Sequence, residues 1–162
     1  EAEIAKTPNK PAPPTRLRQQ RRMIPALAHG AWHIAQDTGA KLIVLWSQLG
    51  GEARYLSRNS FRVPIIAFTS DERAVRRMNL LSGVFPVLVR DVPAHRSDFA
   101  AMADRMLINM GWANQGDPVI MLAGKPINAP GATNTMAVRY AGELLELQNL
   151  QLVDHDREGW AT

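Results

Sequence analysis

The residues of this chain best suited to chemistry are Ser47-Gln48-Leu49-Gly50-Gly51, with Glu52 directly after them. They follow an apolar run, Lys41-Leu42-Ile43-Val44-Leu45-Trp46, of the length of a buried strand, and they open a helix expected over 52–59. A loop placed there presents unpaired backbone N–H groups and the positive end of a helix dipole, which favour an anion such as phosphate. Ser47 adds a hydroxyl, and Gly50 and Gly51 let backbone approach a ligand. The same glycines also suit a plain strand-to-helix turn, and Glu52 would set a negative charge beside the anion. Lys125, in a later loop, could supply a cation to the same site or stand as an ordinary exposed lysine.

Other chemistries have no carrier. Gly124-Lys125 is followed by Pro126 and lacks the upstream glycine of a nucleotide-binding P-loop, and no Gly-x-Gly-x-x-Gly occurs. The serines sit in no Gly-x-Ser-x-Gly elbow, so no catalytic residue is assigned. His29, His33 and Asp37 are spaced four apart and would share a helix face, as metal ligands do. No Glu follows the first His, however, and the three read as the polar side of an amphipathic helix. No metal is assigned. The chain has no Cys, which removes disulfides and thiolate ligands.

The elements that must position these residues follow from punctuation. Pro8, Pro11, Pro13 and Pro14 mark residues 1–15 as a linker. An Ala-rich helix then runs from about Arg16 through Met23 to Ala35, starting or kinking at Pro25 and stopping at Gly39. Strands are expected over 41–46, 63–68, 84–89, 118–123 and 133–140. Helices are expected over 52–59, over 71–81 with Ser70 as its cap, and from Ser97-Asp98 to near Gly111. Residues 143–162 read as a tail with a short helix. Alternating strands and helices, with strands apolar on both faces, imply an α/β three-layer sandwich: a mostly parallel five-stranded sheet flanked by helices.

Composition agrees with one domain over 16–142. The chain has 162 residues with 46% hydrophobic content and no apolar run of membrane-spanning length. Its net charge is +4, and the asymmetry of sign is in its ends. Lys6, Lys10, Arg16, Arg18, Arg21 and Arg22 crowd the N-terminal arm, and acids crowd the tail. That asymmetry, with few aromatics, argues against a nucleic-acid face. The first residue is Glu1, so further sequence upstream is expected.

One family draws several of these segments together. Gly116-Asp117-Pro118-Val119-Ile120-Met121-Leu122-Ala123-Gly124, then Gly131-Ala132-Thr133-Asn134-Thr135-Met136, preceded by Ser82-Gly83-Val84-Phe85-Pro86-Val87-Leu88, resembles the C-terminal domain of pyruvate kinase. Ala53 to Arg58, Pro64 to Thr69 and Arg76 to Val87 are similar to further segments of that domain in the same order. The resemblance covers roughly 22–142.

It implies a domain without the active site, which lies in a separate barrel carrying Mg and K, so no cofactor is expected in this chain. It also implies self-association, as a homodimer or homotetramer of the parent, and a cytoplasmic location. In the family's allosteric members the loop matching 47–51 is rich in Thr and Ser and grips the phosphate of a sugar-phosphate effector. A second loop, matching 125–131, helps to close the pocket. Here Trp46 stands where Thr is common, Leu49 adds a residue, and Ser47 is the one hydroxyl left. The expected effector or anion site is therefore Ser47, Gly50, Gly51, Lys125 and Gly131. The competing reading is a free-standing α/β module that binds a small anion or phosphometabolite.

Overall fold

The computed structural model describes residues 23–59 and 62–145. The expected linker at 1–15, the start of the first helix at 16–22 and the tail over 146–162 lie outside the described residues. Nine elements follow in order: α1 (Met23–Thr38), β1 (Leu42–Trp46), α2 (Gly51–Arg58), β2 (Ile65–Thr69), α3 (Glu72–Met78), β3 (Val84–Leu88), α4 (Arg96–Asn109), β4 (Pro118–Gly124) and β5 (Thr133–Tyr140).

The five strands form one sheet in the order β3-β2-β1-β4-β5. The first four run parallel, with Ile43 opposite Ile65 on one side of β1 and Ile120 on the other. β5 returns antiparallel beside β4. Every residue of β1 and β2 is buried, because side chains alternate between two covered faces. Ile43, Leu45, Ile65, Ala67, Ile120 and Leu122 meet α1, α2 and α3 through Ala31, Trp32, Leu56 and Met78. Leu42, Val44, Trp46, Ile66, Phe68, Val119 and Met121 meet α4 through Phe99, Ala103 and Leu107. The three-layer α/β sandwich expected from the strand and helix pattern is the observed one.

Local chemistry moves two boundaries. Asp71, not Ser70, caps α3 by accepting the backbone N–H of Arg73 at 2.7 Å. Ser70 instead shares hydrogen bonds with Gln48. The helix also stops at Met78, short of the expected Leu81, because the chain tightens into turns before Gly83, whose φ is 72°. Helix α4 begins at Arg96, and Asp98 accepts the backbone N–H of His95 at 3.1 Å.

The two edge strands differ. On β3 the backbone bonds Ile65 N–H to Gly83 C=O and Val89 N–H to Thr69 C=O turn odd-numbered residues toward β2. Pro86 therefore has its nitrogen on the outer side, where it offers no donor. On β5, Val138 and Tyr140 are 43% and 57% exposed, while Met136 on the same face packs into the core under α1.

Candidate functional site

In an open α/β sheet, ligands bind beyond the carboxyl ends of the strands, where the strand order reverses. Here that place lies between β1, which connects to β2 on one side, and β4 on the other. The loops after β1 and β4 are 47–50 and 125–132, the two loops expected to form the site.

The 47–50 loop is tied down by its own chain. Gly50 turns with φ 83°, and a Cβ there would come within 3.0 Å of Met78 Cγ, so both conformation and space favour glycine. Gln48 accepts from Trp46 Nε1–H at 3.0 Å and donates to Ser70 Oγ at 2.9 Å. Its carbonyl accepts the Thr69 hydroxyl at 3.0 Å, and the Leu49 carbonyl accepts from Arg77 at 3.2 Å.

Ser47 is fully buried and Glu52 is 8% exposed. The Ser47 hydroxyl donates to Glu52 Oε2 at 2.7 Å and accepts the Ala53 N–H at 3.4 Å. Gly131, from the other loop, donates its N–H to Glu52 Oε1 at 2.8 Å. Both carboxylate oxygens thus have partners, and one carboxylate joins the two loops at the start of α2. It belongs to the first turn of α2, beside the loop that the sequence suggested for an external anion.

Lys125 stands elsewhere. It is exposed and lines a cavity of about 270 Å³ with His95, Arg96 and Ser97 at the start of α4. Arg96 also hydrogen-bonds Thr135. Ser47, Gly51 and Gly131 therefore converge around Glu52, with Gly50 forming the turn behind them, whereas Lys125 joins a second, basic group. Gly51 and Gly131 also line a larger cavity of about 620 Å³ with Leu49, Tyr55 and Arg58. Between the loops, Gly124 is packed so closely that a Cβ would lie 2.5 Å from the Ala132 carbonyl oxygen.

Sequence reading gave Glu52 another role and missed His95 and Arg96. Glu52 was read as a charge beside a ligand, and in the structure it joins Ser47 to Gly131. Its position directly after Gly50-Gly51, at the first helical turn, was the available signal. His95 and Arg96 lie before the expected helix start, and nothing local connects them to Lys125.

On α1, His29 and His33 place their Nε2 atoms 3.2 Å apart. No group of three or more His, Cys, Asp or Glu among the described residues is arranged to hold a metal.

These features define a doubly wound α/β domain whose switch-point crevice is bordered by an internally closed loop pair and a separate basic cavity. The sequence model of the family described as "Pyruvate kinase, alpha/beta domain" matches residues 25–139, and the chain belongs to that family. It is 31% identical over 113 residues to a pyruvate kinase of Thermotoga maritima, covering 70% of this chain and 24% of that protein. A pyruvate kinase of Methylorubrum extorquens is 30% identical over 115 residues, covering 71% and 24%. One from Lactococcus lactis is 32% identical over 105 residues, covering 65% and 20%. The chain thus spans about a quarter of the length of the curated relatives it matches. No helix among the described residues is long and apolar enough to cross a membrane.

Proposed function

We propose that this chain is the assembly and regulatory domain of a cytoplasmic pyruvate kinase, whose phosphoryl transfer between phosphoenolpyruvate and ADP in glycolysis takes place in a barrel outside it. The observation that carries the reading is the β5 edge. A strand at the sheet edge among the described residues, with exposed Val138 and Tyr140, is suited to pair with the same strand of a second copy. Such a contact lets one subunit's state bias another's, because a domain without reacting groups acts on a distant site only by favouring one global state.

The basic cavity of His95, Arg96 and Lys125 supports a phosphorylated small molecule as the effector. It holds two permanent cations beside the first turn of α4, and guanidinium and ammonium groups both pair with phosphate oxygens. The deciding experiment is light scattering on the chain and on Val138→Lys. A dimer or larger species in the parent that falls to monomer in the variant supports the reading, and a monomeric parent at about a hundred micromolar overturns it.

A further inference from the structure

We propose that His29 and His33 form a two-imidazole clip for a divalent transition-metal ion, Cu²⁺ in preference to Ni²⁺ or Zn²⁺, on the outer side of α1. The inference concerns this helix alone and does not depend on the assembly reading.

Four residues apart on a helix, the two side chains stand one turn above the other. That spacing alone would let each ring point to solvent. Instead Nε2 of His33 lies 3.2 Å from Nε2 of His29, and the rings meet edge to face with centroids 4.6 Å apart. Bonds from imidazole to such an ion are about 2.0–2.1 Å, so two of them closing on nitrogens 3.2 Å apart subtend about 100–105° at the ion. This lies between the ~90° of a tetragonal site and the ~109° of a tetrahedral one.

The helix behind the clip is held by the core. Ala28, Ala31, Trp32 and Ala35 are buried, and the Trp32 ring meets His33 edge to face at 5.2 Å. Gly30 brings the helix down on β5, since a Cβ there would lie 3.0 Å from Met136 Cε. Ligands on a packed helix are held more closely than ligands on loops. His33 is exposed and His29 half-buried, so an ion reaches both from solvent.

In the free chain one ring's Nε2–H donates to the bare Nε2 of the other. The ion replaces that hydrogen. The donor ring releases it to water and takes a proton from water at Nδ1, so both rings stay neutral, each with Nδ1–H and an Nε2 lone pair on the ion. The protein's proton count is unchanged. The χ2 torsion of His is broad, so the rings turn toward a shared ion without leaving their rotamers. Among the described residues no third His, Cys, Asp or Glu completes a set, and water fills the remaining positions. Imidazole suits Cu, Ni and Zn, and affinity at such a site peaks at Cu²⁺.

The test is titration of the full chain with Cu²⁺, followed by amide NMR. The paramagnetic ion broadens the amides nearest to it, so those from His29 to His33 disappear first at substoichiometric Cu²⁺, well before those around His95, and EDTA restores them. Joining two ligands in one clip makes the second contact intramolecular, worth about a hundredfold or more. His29→Ala and His33→Ala are therefore each expected to weaken Ni²⁺ binding, read by calorimetry, by about a hundredfold. The parent also melts higher in millimolar Ni²⁺, because an ion that binds the folded chain stabilises it, and neither variant shows the rise.

Broadening centred away from α1, or no broadening at all, overturns the inference, as does a loss of Ni²⁺ affinity below about tenfold in either folded variant. Should a variant fail to fold, the Cu²⁺ titration of the parent decides by itself.

Discussion

Gly131 donates its backbone N–H to the Glu52 carboxylate at 2.8 Å, so a loop after the fourth strand is held by the first turn of the helix after the first strand. The bond joins two segments 79 residues apart, and the Ser47 hydroxyl completes it from the other side. Removing the carboxylate leaves a buried hydroxyl and an N–H without acceptors. Glu52→Ala is expected to destabilise the fold by about 1–3 kcal/mol, the range for leaving a buried polar group unpaired. Urea unfolding measures it; a change below about 0.5 kcal/mol would show that the tie contributes little.

Gly124 gives a prediction of a different kind, since the constraint is space. Its added Cβ would meet the Ala132 carbonyl oxygen at 2.5 Å, a backbone atom that cannot rotate away. Gly124→Ala is expected to cost about 1–3 kcal/mol. For a chain of this size that corresponds to a melting temperature lowered by roughly 2–12 °C. An unchanged melting temperature would mean that the β4–β5 turn yields freely.

Phosphoryl transfer is expected to be absent from this chain alone. With phosphoenolpyruvate, ADP, Mg and K supplied, a coupled assay for pyruvate should read no more than a boiled control. Turnover that survives further purification would place reacting groups in this domain.

Anion binding by the basic cavity should depend on its two permanent cations. Exposed charge pairs contribute about 0.2–1 kcal/mol each, so Lys125→Ala and Arg96→Ala should each weaken binding of a sugar phosphate by roughly 1.5- to 5-fold. Calorimetry of the parent and both variants reads this. Equal affinity in all three would move the effector to another surface.

What the sequence made legible and what it concealed divide along chain separation. Leu42 to Trp46 and Val119 to Ala123 are continuous apolar runs, and a strand covered on both faces has no other pattern, so the parallel sheet could be read directly. Helix ends were legible where a glycine must take a positive φ, as at Gly39. They were misjudged where two adjacent residues, Ser70 and Asp71, could both cap and a longer-range partner, Gln48, claimed one of them. The site was half visible for the same reason. Ser47, Gly50 and Gly51 are neighbours in sequence, but their link to Gly131 exists only because β4 inserts beside β1. Strand order likewise brings Arg96 and Lys125 to one cavity, and no local pattern encodes strand order.

Pro86 limits what an assembly of these domains can become. Among the described residues the sheet has two edges, β5 and β3, and the outward donor at mid-strand of β3 is missing. Two copies joined through β5 would make a ten-stranded sheet with a proline-bearing strand at each end. Addition then terminates by geometry: the pair is self-limiting, and the same contact that builds a dimer cannot be repeated into a fibre.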